Sequence, residues 1–217
     1  MSINAVLGVD IGTSSSKGVL VGPDGGILAT TTRTHGVDRP HPGWVETDAT
    51  VWWDEFAAIS RELLNAHDVE VVAVGVSGMG PCVLVTDDAG TPLRPAILYG
   101  VDMRATAQIE RLTAELGGDD AIQARGGSRL STQAVGPKLA WIADNEPDVF
   151  RAARRLFMPS SWLVWNLTGE YVLDHHSASQ SSPLYERDTH SWYEPWAQHV
   201  APRLRLPPLR WPGEIAG

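Results

Sequence analysis

The stretch Leu7-Gly8-Val9-Asp10-Ile11-Gly12-Thr13-Ser14-Ser15-Ser16-Lys17-Gly18 constrains this chain more than any other. An apolar run ends in an acid, the chain turns over small residues, and a second apolar run, Val19-Leu20-Val21, follows. That order predicts two antiparallel strands joined by a Gly/Ser turn, not a strand followed by a helix. Asp10 offers a hard oxygen ligand of the kind Mg²⁺ takes alongside retained waters. Gly12 lets backbone come close to a ligand, and the N–H groups of a tight turn can form an anion-binding nest. Thr13, Ser14 and Ser15 add hydroxyls, and Lys17 adds positive charge. Two readings fit these residues. One is the nucleotide-phosphate loop of a phosphotransferase or ATPase; the other is an ordinary hairpin whose turn contains Gly and Ser. The Walker A and G-x-G-x-x-G patterns are both absent, so any phosphate here is held in a different way.

The remaining chemistry narrows the partners. A chain of 217 residues has room for one well-packed domain, or a large domain with an appendage. A hydrophobic fraction of 43% and a charged fraction of 20% belong to a soluble globular protein. Lys+Arg total 17 against 26 for Asp+Glu, and the resulting net charge of −9 opposes nucleic acid or an acidic membrane as partner. The basic run Arg151-Ala152-Ala153-Arg154-Arg155 fits the solvated face or end of a helix. Cys82 is the single cysteine, which excludes an internal disulfide and fits a reducing cytoplasm. The N-terminus lacks the pattern of a signal peptide, and no apolar run reaches about eighteen residues, so a cytoplasmic chain without membrane contact is expected. The seven histidines lack metal-ligand spacing, and no structural metal is expected. Of nine tryptophans, Trp52, Trp53, Trp141, Trp162 and Trp165 fall in helical-looking segments and read as core or groove lining.

Strands are predicted at 4–10, 16–22 and 27–35, with Pro23-Asp24-Gly25-Gly26 as a turn. A helix over 49–66 follows, N-capped by Thr47 or Asp48, with Trp52, Phe56, Ile59 and Leu63 on one face. Residues 70–77 read as an apolar strand buried in a parallel sheet. Further strands are predicted at 82–87 and 96–99, then helices near 103–116, 136–145 and 159–168, and an extended connector over 201–209. This order implies an α/β fold, a mixed sheet with helices packed on it.

Six segments, in order, resemble the N-terminal domain of the FGGY family of carbohydrate kinases. They are Gly8-Val9-Asp10-Ile11-Gly12-Thr13-Ser14-Ser15-Ser16-Lys17, His41-Pro42-Gly43-Trp44-Val45-Glu46-Thr47-Asp48, Val74-Gly75-Val76-Ser77-Gly78, the run from Leu93 to Arg104, Gly136-Pro137-Lys138-Leu139-Ala140-Trp141, and Leu163-Val164-Trp165-Asn166-Leu167-Thr168-Gly169. The resemblance implies a ribonuclease-H-like, actin-like ATPase domain, a mixed central sheet flanked by helices, and one of two such domains around a cleft. Residues 1–217 would be the sugar-binding domain, with ATP held mainly by a second domain. In that picture Asp10 helps hold Mg²⁺, and Gly12, Thr13, Ser14 and Ser15 face the ATP phosphates. A sugar or polyol would meet Gly78, Met79 and Gly80, then Tyr99, Asp102, Arg104 and Gln133. Tyr99 could equally be partly buried structure, and Asp102 a helix cap; Lys138 and Trp141 read as packing residues first.

Departures from the family pattern matter too. Xylulokinases usually carry Gln-Met-His-Gly and glycerol kinases an Arg-Glu pair where this chain has Gly78-Met79-Gly80-Pro81-Cys82. Many relatives have an acid where Ser161 stands. The broad substrate class is therefore a ketose or polyol, with a pentulose such as xylulose in front. The family's catalytic base is an Asp in Gly-Asp-Asn or Gly-Asp-Gln, and neither motif occurs here. Gly118-Asp119-Asp120 falls too early, in what reads as a polar loop. The expectation is a fragment that is inactive by itself, with its base beyond Gly217; an intact protein could form a homodimer. A non-catalytic binding domain that retains the fold is the alternative. An actin-like or chaperone ATPase fits less well, because those relatives lack the Pro42-Gly43-Trp44 and Gly136-Pro137-Lys138 segments.

Overall fold

The computed structural model describes residues 2–217. Strands β1 (Ile3–Ile11), β2 (Ser15–Val21) and β3 (Ile27–Thr34) form an antiparallel meander. After the two-residue β4 (Glu46–Thr47), helix α1 (Thr50–Ala66) carries the chain back to β5 (Val69–Gly78). β5 runs parallel to β1, so the sheet order is β3-β2-β1-β5. A parallel return needs a crossover, and α1 supplies it. The register sets Asp10 beside Lys17 on one side and Ser77 on the other, at the strand ends where the β1–β2 turn begins.

Trp52, Phe56, Ile59 and Leu63 of α1 are buried as their spacing predicts, against Leu7, Val9, Ile11 and Leu20 of the sheet. The N-cap position is Ala49, not Thr47 or Asp48, and carries no side-chain cap; Asp48 just before it accepts at Oδ1 from the Thr50 N–H and Oγ1, both at 2.9 Å, while Thr47 belongs to β4. The 70–77 run is not the buried strand its composition suggests. β5 pairs with β1 alone among the described residues, and Val72 and Val74 remain 59% and 46% exposed. An apolar run reports burial only where another layer exists to bury it.

A second core forms around short strands and helices. These are β6 (Leu84–Thr86), β7 (Ala96–Ile97), α2 (Thr106–Glu115), α3 (Asp119–Gly126), α4 (Val135–Asn145), α5 (Pro147–Ala152), β8 (Arg155–Phe157), α6 (Pro159–Thr168), β9 (Leu173–Asp174), α7 (His175–Ser179), β10 (Tyr185–Glu186), β11 (Ser191–Trp192), α8 (Glu194–Val200) and β12 (Leu209–Arg210). β6 pairs with β8, and β7 with β4. Leu139 and Ile142 of α4 meet Ile122 of α3 and Leu156 of β8 in this core. α6 joins the two halves by sending Trp162 and Leu163 into the core beneath the sheet. Gly118-Asp119-Asp120 is not a loop: α3 starts at Asp119, and both carboxylates sit in its first turn, where they complement the helix dipole. Among the described residues no helix is long and apolar enough to cross a membrane.

Candidate functional site

Between β1 and β2 the chain reverses over Gly12, Thr13 and Ser14. Gly12 N–H donates to the Ser15 carbonyl at 3.0 Å, and a Cβ on Gly12 would lie 2.8 Å from that same oxygen. The turn's own closure therefore demands glycine there. The N–H groups of Thr13 and Ser14 donate to nothing among the described residues. Two successive free N–H groups on an accessible turn are an anion-binding arrangement. Ser15 is already in the ladder, opposite Thr34. Asp10 is exposed, and its Oδ1 accepts from the Ser77 hydroxyl. No group of three or more His, Cys, Asp or Glu among the described residues could hold a metal. A lone carboxylate next to free N–H groups fits Mg²⁺ held by one carboxylate, waters and phosphate oxygens, and does not fit a metal needing several protein ligands.

Thr13 Oγ1 lies 2.8 Å from the Tyr99 hydroxyl, and Tyr99 also lines a cleft of about 400 Å³. Gly80, Ser128, Arg129, Gln133 and Gln180 form other parts of its wall, drawn from the loop after β5, the turns before α4 and the end of α7. Ser182 lines it too, and the buried Ser182 hydroxyl has no partner. An unpaired buried hydroxyl costs free energy that a ligand can recover. Small hydroxyls and amides converging on a concave space suit a polyhydroxylated ligand. A larger hollow of about 690 Å³ runs over the uncovered sheet face past Gly8, Val19 and Thr30. It is open, and Thr30, Thr31 and Thr32 line it beside glycines and the apolar Val9, Val19, Ile27 and Val76, with charged groups only at Asp10 and Lys17, so volume alone does not make it the sugar site.

Of the sugar-contact residues expected from the sequence, Gly80, Tyr99 and Gln133 come together in the cleft. Gly78 does not: a Cβ there would meet Pro159 Cβ at 2.9 Å, so it permits packing of β5 on α6. Met79 donates its N–H to the Ile11 carbonyl at 2.7 Å and packs against buried apolar residues. Asp102 and Arg104 are also corrected, since both side chains are 0% exposed. Asp102 accepts from the Val45 N–H at 2.6 Å and from Arg104 at 2.7 Å. Arg104 bonds Glu46 at 2.6 Å, and its guanidinium lies 4.3 Å from the Trp44 ring and 4.9 Å from Trp141. Arg94 extends the chain of charges from Glu46 to Glu146. Behind it Lys138 donates to the Thr132 carbonyl, and Thr132 Oγ1 donates to the Gly100 carbonyl at 3.0 Å. These groups brace the segments that carry Tyr99 and Gln133. Burial pushes the Lys138 ammonium down to about 8, opposed by nearby Asp102, and pushes the Cys82 thiol up to about 12.

Comparison with known proteins decides the family. The description "FGGY family of carbohydrate kinases, N-terminal domain" matches residues 5–217. The chain belongs to the FGGY carbohydrate kinases. A glycerol kinase of Nocardia farcinica is 33% identical over 98% of this FGGY chain and 44% of its own length. A xylulose kinase of Streptomyces coelicolor is 34% identical over the same shares. The crystal structure of xylulose kinase from Rhodospirillum rubrum superposes with a TM-score of 0.88 at 32% identity, covering 94% of this chain and 42% of that one. Plasmodium falciparum glycerol kinase, solved with ADP, shares the fold at a TM-score of 0.91 and 22% identity, over 100% of this chain and 45% of its own. The FGGY chain therefore spans less than half the length of the relatives it matches. Sequence reasoning missed Ser128, Arg129, Gln180 and Ser182 in the cleft. Their only signal was two runs of small polar residues, Gly126-Gly127-Ser128 and Ser179-Gln180-Ser181-Ser182, interrupting apolar patterns.

Proposed function

We propose that this FGGY chain is the sugar-binding half of an ATP-dependent kinase that phosphorylates a hydroxyl of a pentulose such as xylulose, or of a related ketose or polyol. The observation that carries it is the Thr13–Tyr99 hydrogen bond, because it sets a phosphate-type turn directly against a polyol-type cleft. Phosphoryl transfer asks a protein mainly for positioning and for neutralisation of charge. Thr13 and Ser14 offer their N–H groups to phosphate oxygens, and Asp10 is the carboxylate for Mg²⁺, which supplies charge neutralisation when bound. Gln133, Gln180 and the serines orient the acceptor. Among the described residues no carboxylate lines the cleft, so the group that takes the attacking hydroxyl's proton comes from outside those walls. On this reading residues 1–217 act as one domain, ATP is held mainly by a second, and the working protein is cytoplasmic.

Incubation of the 217-residue chain with Mg·ATP and xylulose, ribulose or glycerol tests this directly. We expect no ADP release above buffer, together with a rise in melting temperature with at least one acceptor, since ligand binding to the native state stabilises it. Robust turnover by the chain alone would overturn the half-enzyme reading. Absence of a shift with every ketose and polyol would overturn the assignment of the cleft.

A further inference from the structure

Directly after β3, His35 sits beneath the β1–β2 turn with its side chain 7% exposed. Its Nδ1 lies 2.9 Å from Glu55 Oε2, and its Nε2 lies 3.1 Å from the Gly12 carbonyl oxygen. A carbonyl can only accept, so Nε2 carries a hydrogen and donates it. Nδ1 faces Glu55 Oε2, an oxygen that also accepts from the buried Ser16 hydroxyl. The His35 backbone N–H donates to the Ser14 carbonyl at 3.0 Å, which ties the other end of the turn to the same residue. In a trans peptide the C=O and the following N–H point in opposite directions. Holding the Gly12 carbonyl inward therefore aims the Thr13 N–H outward, and that N–H is one of the two left free.

We infer that His35 is a positioning residue for the phosphate-facing turn, with Glu55 of α1 fixing its ring. The inference rests on the phosphate reading of that turn for its purpose, though not for its geometry. The charged groups along the same seam are Glu55, then Glu62 paired with Arg33 about two helical turns on. Asp10 and Lys17 alternate with buried Ile11 and Ser16 along their strands and so lie on the opposite face of the sheet. His35 thus braces the turn from beneath while Tyr99 holds the Thr13 side chain from the cleft.

Ring ¹⁵N NMR of the 217-residue chain tests the geometry without a mutation. His35 Nε2 should remain the protonated nitrogen from about pH 6 to about pH 8.5, across the range where histidine usually titrates. A bare Nε2 at any point in that range would overturn the inference. The second arm follows the Thr13 and Ser14 amide resonances during titration with Mg·ATP, carried high enough to occupy a site that lacks the second domain, in wild type, His35→Phe and His35→Gln. The expected result is a response in wild type, loss of it in His35→Phe, and partial rescue in His35→Gln, whose amide can still donate. A folded His35→Phe with the wild-type amide shifts and response would sink the positioning role. A protonated Nε2 with no amide response even in wild type would leave the geometry standing and remove the phosphate reading.

Discussion

The β1–β2 turn and the Asp102–Arg104 network both carry residues that mark the family, yet they work in opposite ways. The turn presents backbone: the Thr13 side chain bonds sideways to Tyr99, and the Thr13 and Ser14 N–H groups donate to nothing among the described residues. The network presents nothing. Asp102 and Arg104 are fully enclosed, matched with Glu46, Arg94, Trp44 and Trp141, and they hold up the wall behind Tyr99 and Gln133. A motif residue can therefore serve a site by touching the ligand or by bracing the residues that do. Burial and partners separate the two roles.

The largest effect should come from the network. Arg104→Met strands Asp102 in a buried place, while Glu46 keeps Arg94, and removing one partner of such a pair costs about 3–5 kcal/mol. Chemical denaturation would read this as a large fall in midpoint; a loss under about 1 kcal/mol would mean the network is not structural. Gly12→Ala comes next, because its Cβ meets the Ser15 carbonyl at 2.8 Å. Crowding of this kind costs about 1–3 kcal/mol, and the Thr13 and Ser14 amide response to Mg·ATP should vanish with it. Tyr99→Phe removes one partly buried hydrogen bond, worth about 1 kcal/mol. It should lower stability by that amount and weaken pentulose binding severalfold, as isothermal titration would show.

Lys138→Met tests the network through pH. With its ammonium at about 8 when folded and 10.5 when free, the folded chain gives up the proton first. Stability from this group therefore rises as pH climbs from about 8, by about 1 kcal/mol up to pH 9. Cys82 works the other way above 9.0, since the folded chain keeps its thiol proton to about 12. The clean window is pH 8 to 9, and there the variant should lose the rise seen in wild type. The smallest effect belongs to Ser182→Ala, which removes an unpaired hydroxyl. Stability of the free chain should not fall, because the lost hydroxyl is buried without a partner, while affinity for the sugar falls.

The turn was legible because its residues are neighbours in sequence and each is dictated by local chemistry. The acid at a strand end, the glycine the closure demands and the small polar residues all fall within 10–16. The α1 face was legible for the same reason, since Trp52, Phe56, Ile59 and Leu63 repeat on one helix. The fate of Arg104 was not, because Glu46 lies 58 positions away and Trp44 further still. Nor could the sequence show that β5 stays an outer strand, which depends on what covers it. Arg129 and Gln180 were hidden in turns whose placement comes from tertiary packing, not from periodicity.

On the proposed reading, a sugar in the cleft and a phosphate at the β1–β2 turn meet at Tyr99 and Thr13. A titration of xylulose into ¹⁵N-labelled chain, in wild type and Tyr99→Phe, tests it most directly. The Gln133 and Gln180 side-chain amides and the Thr13 backbone amide should shift together in wild type. In Tyr99→Phe the two glutamines should still respond, while Thr13 falls silent. Glutamine shifts with an unmoved Thr13 in wild type, or a sugar response confined to another part of the molecule, would contradict it.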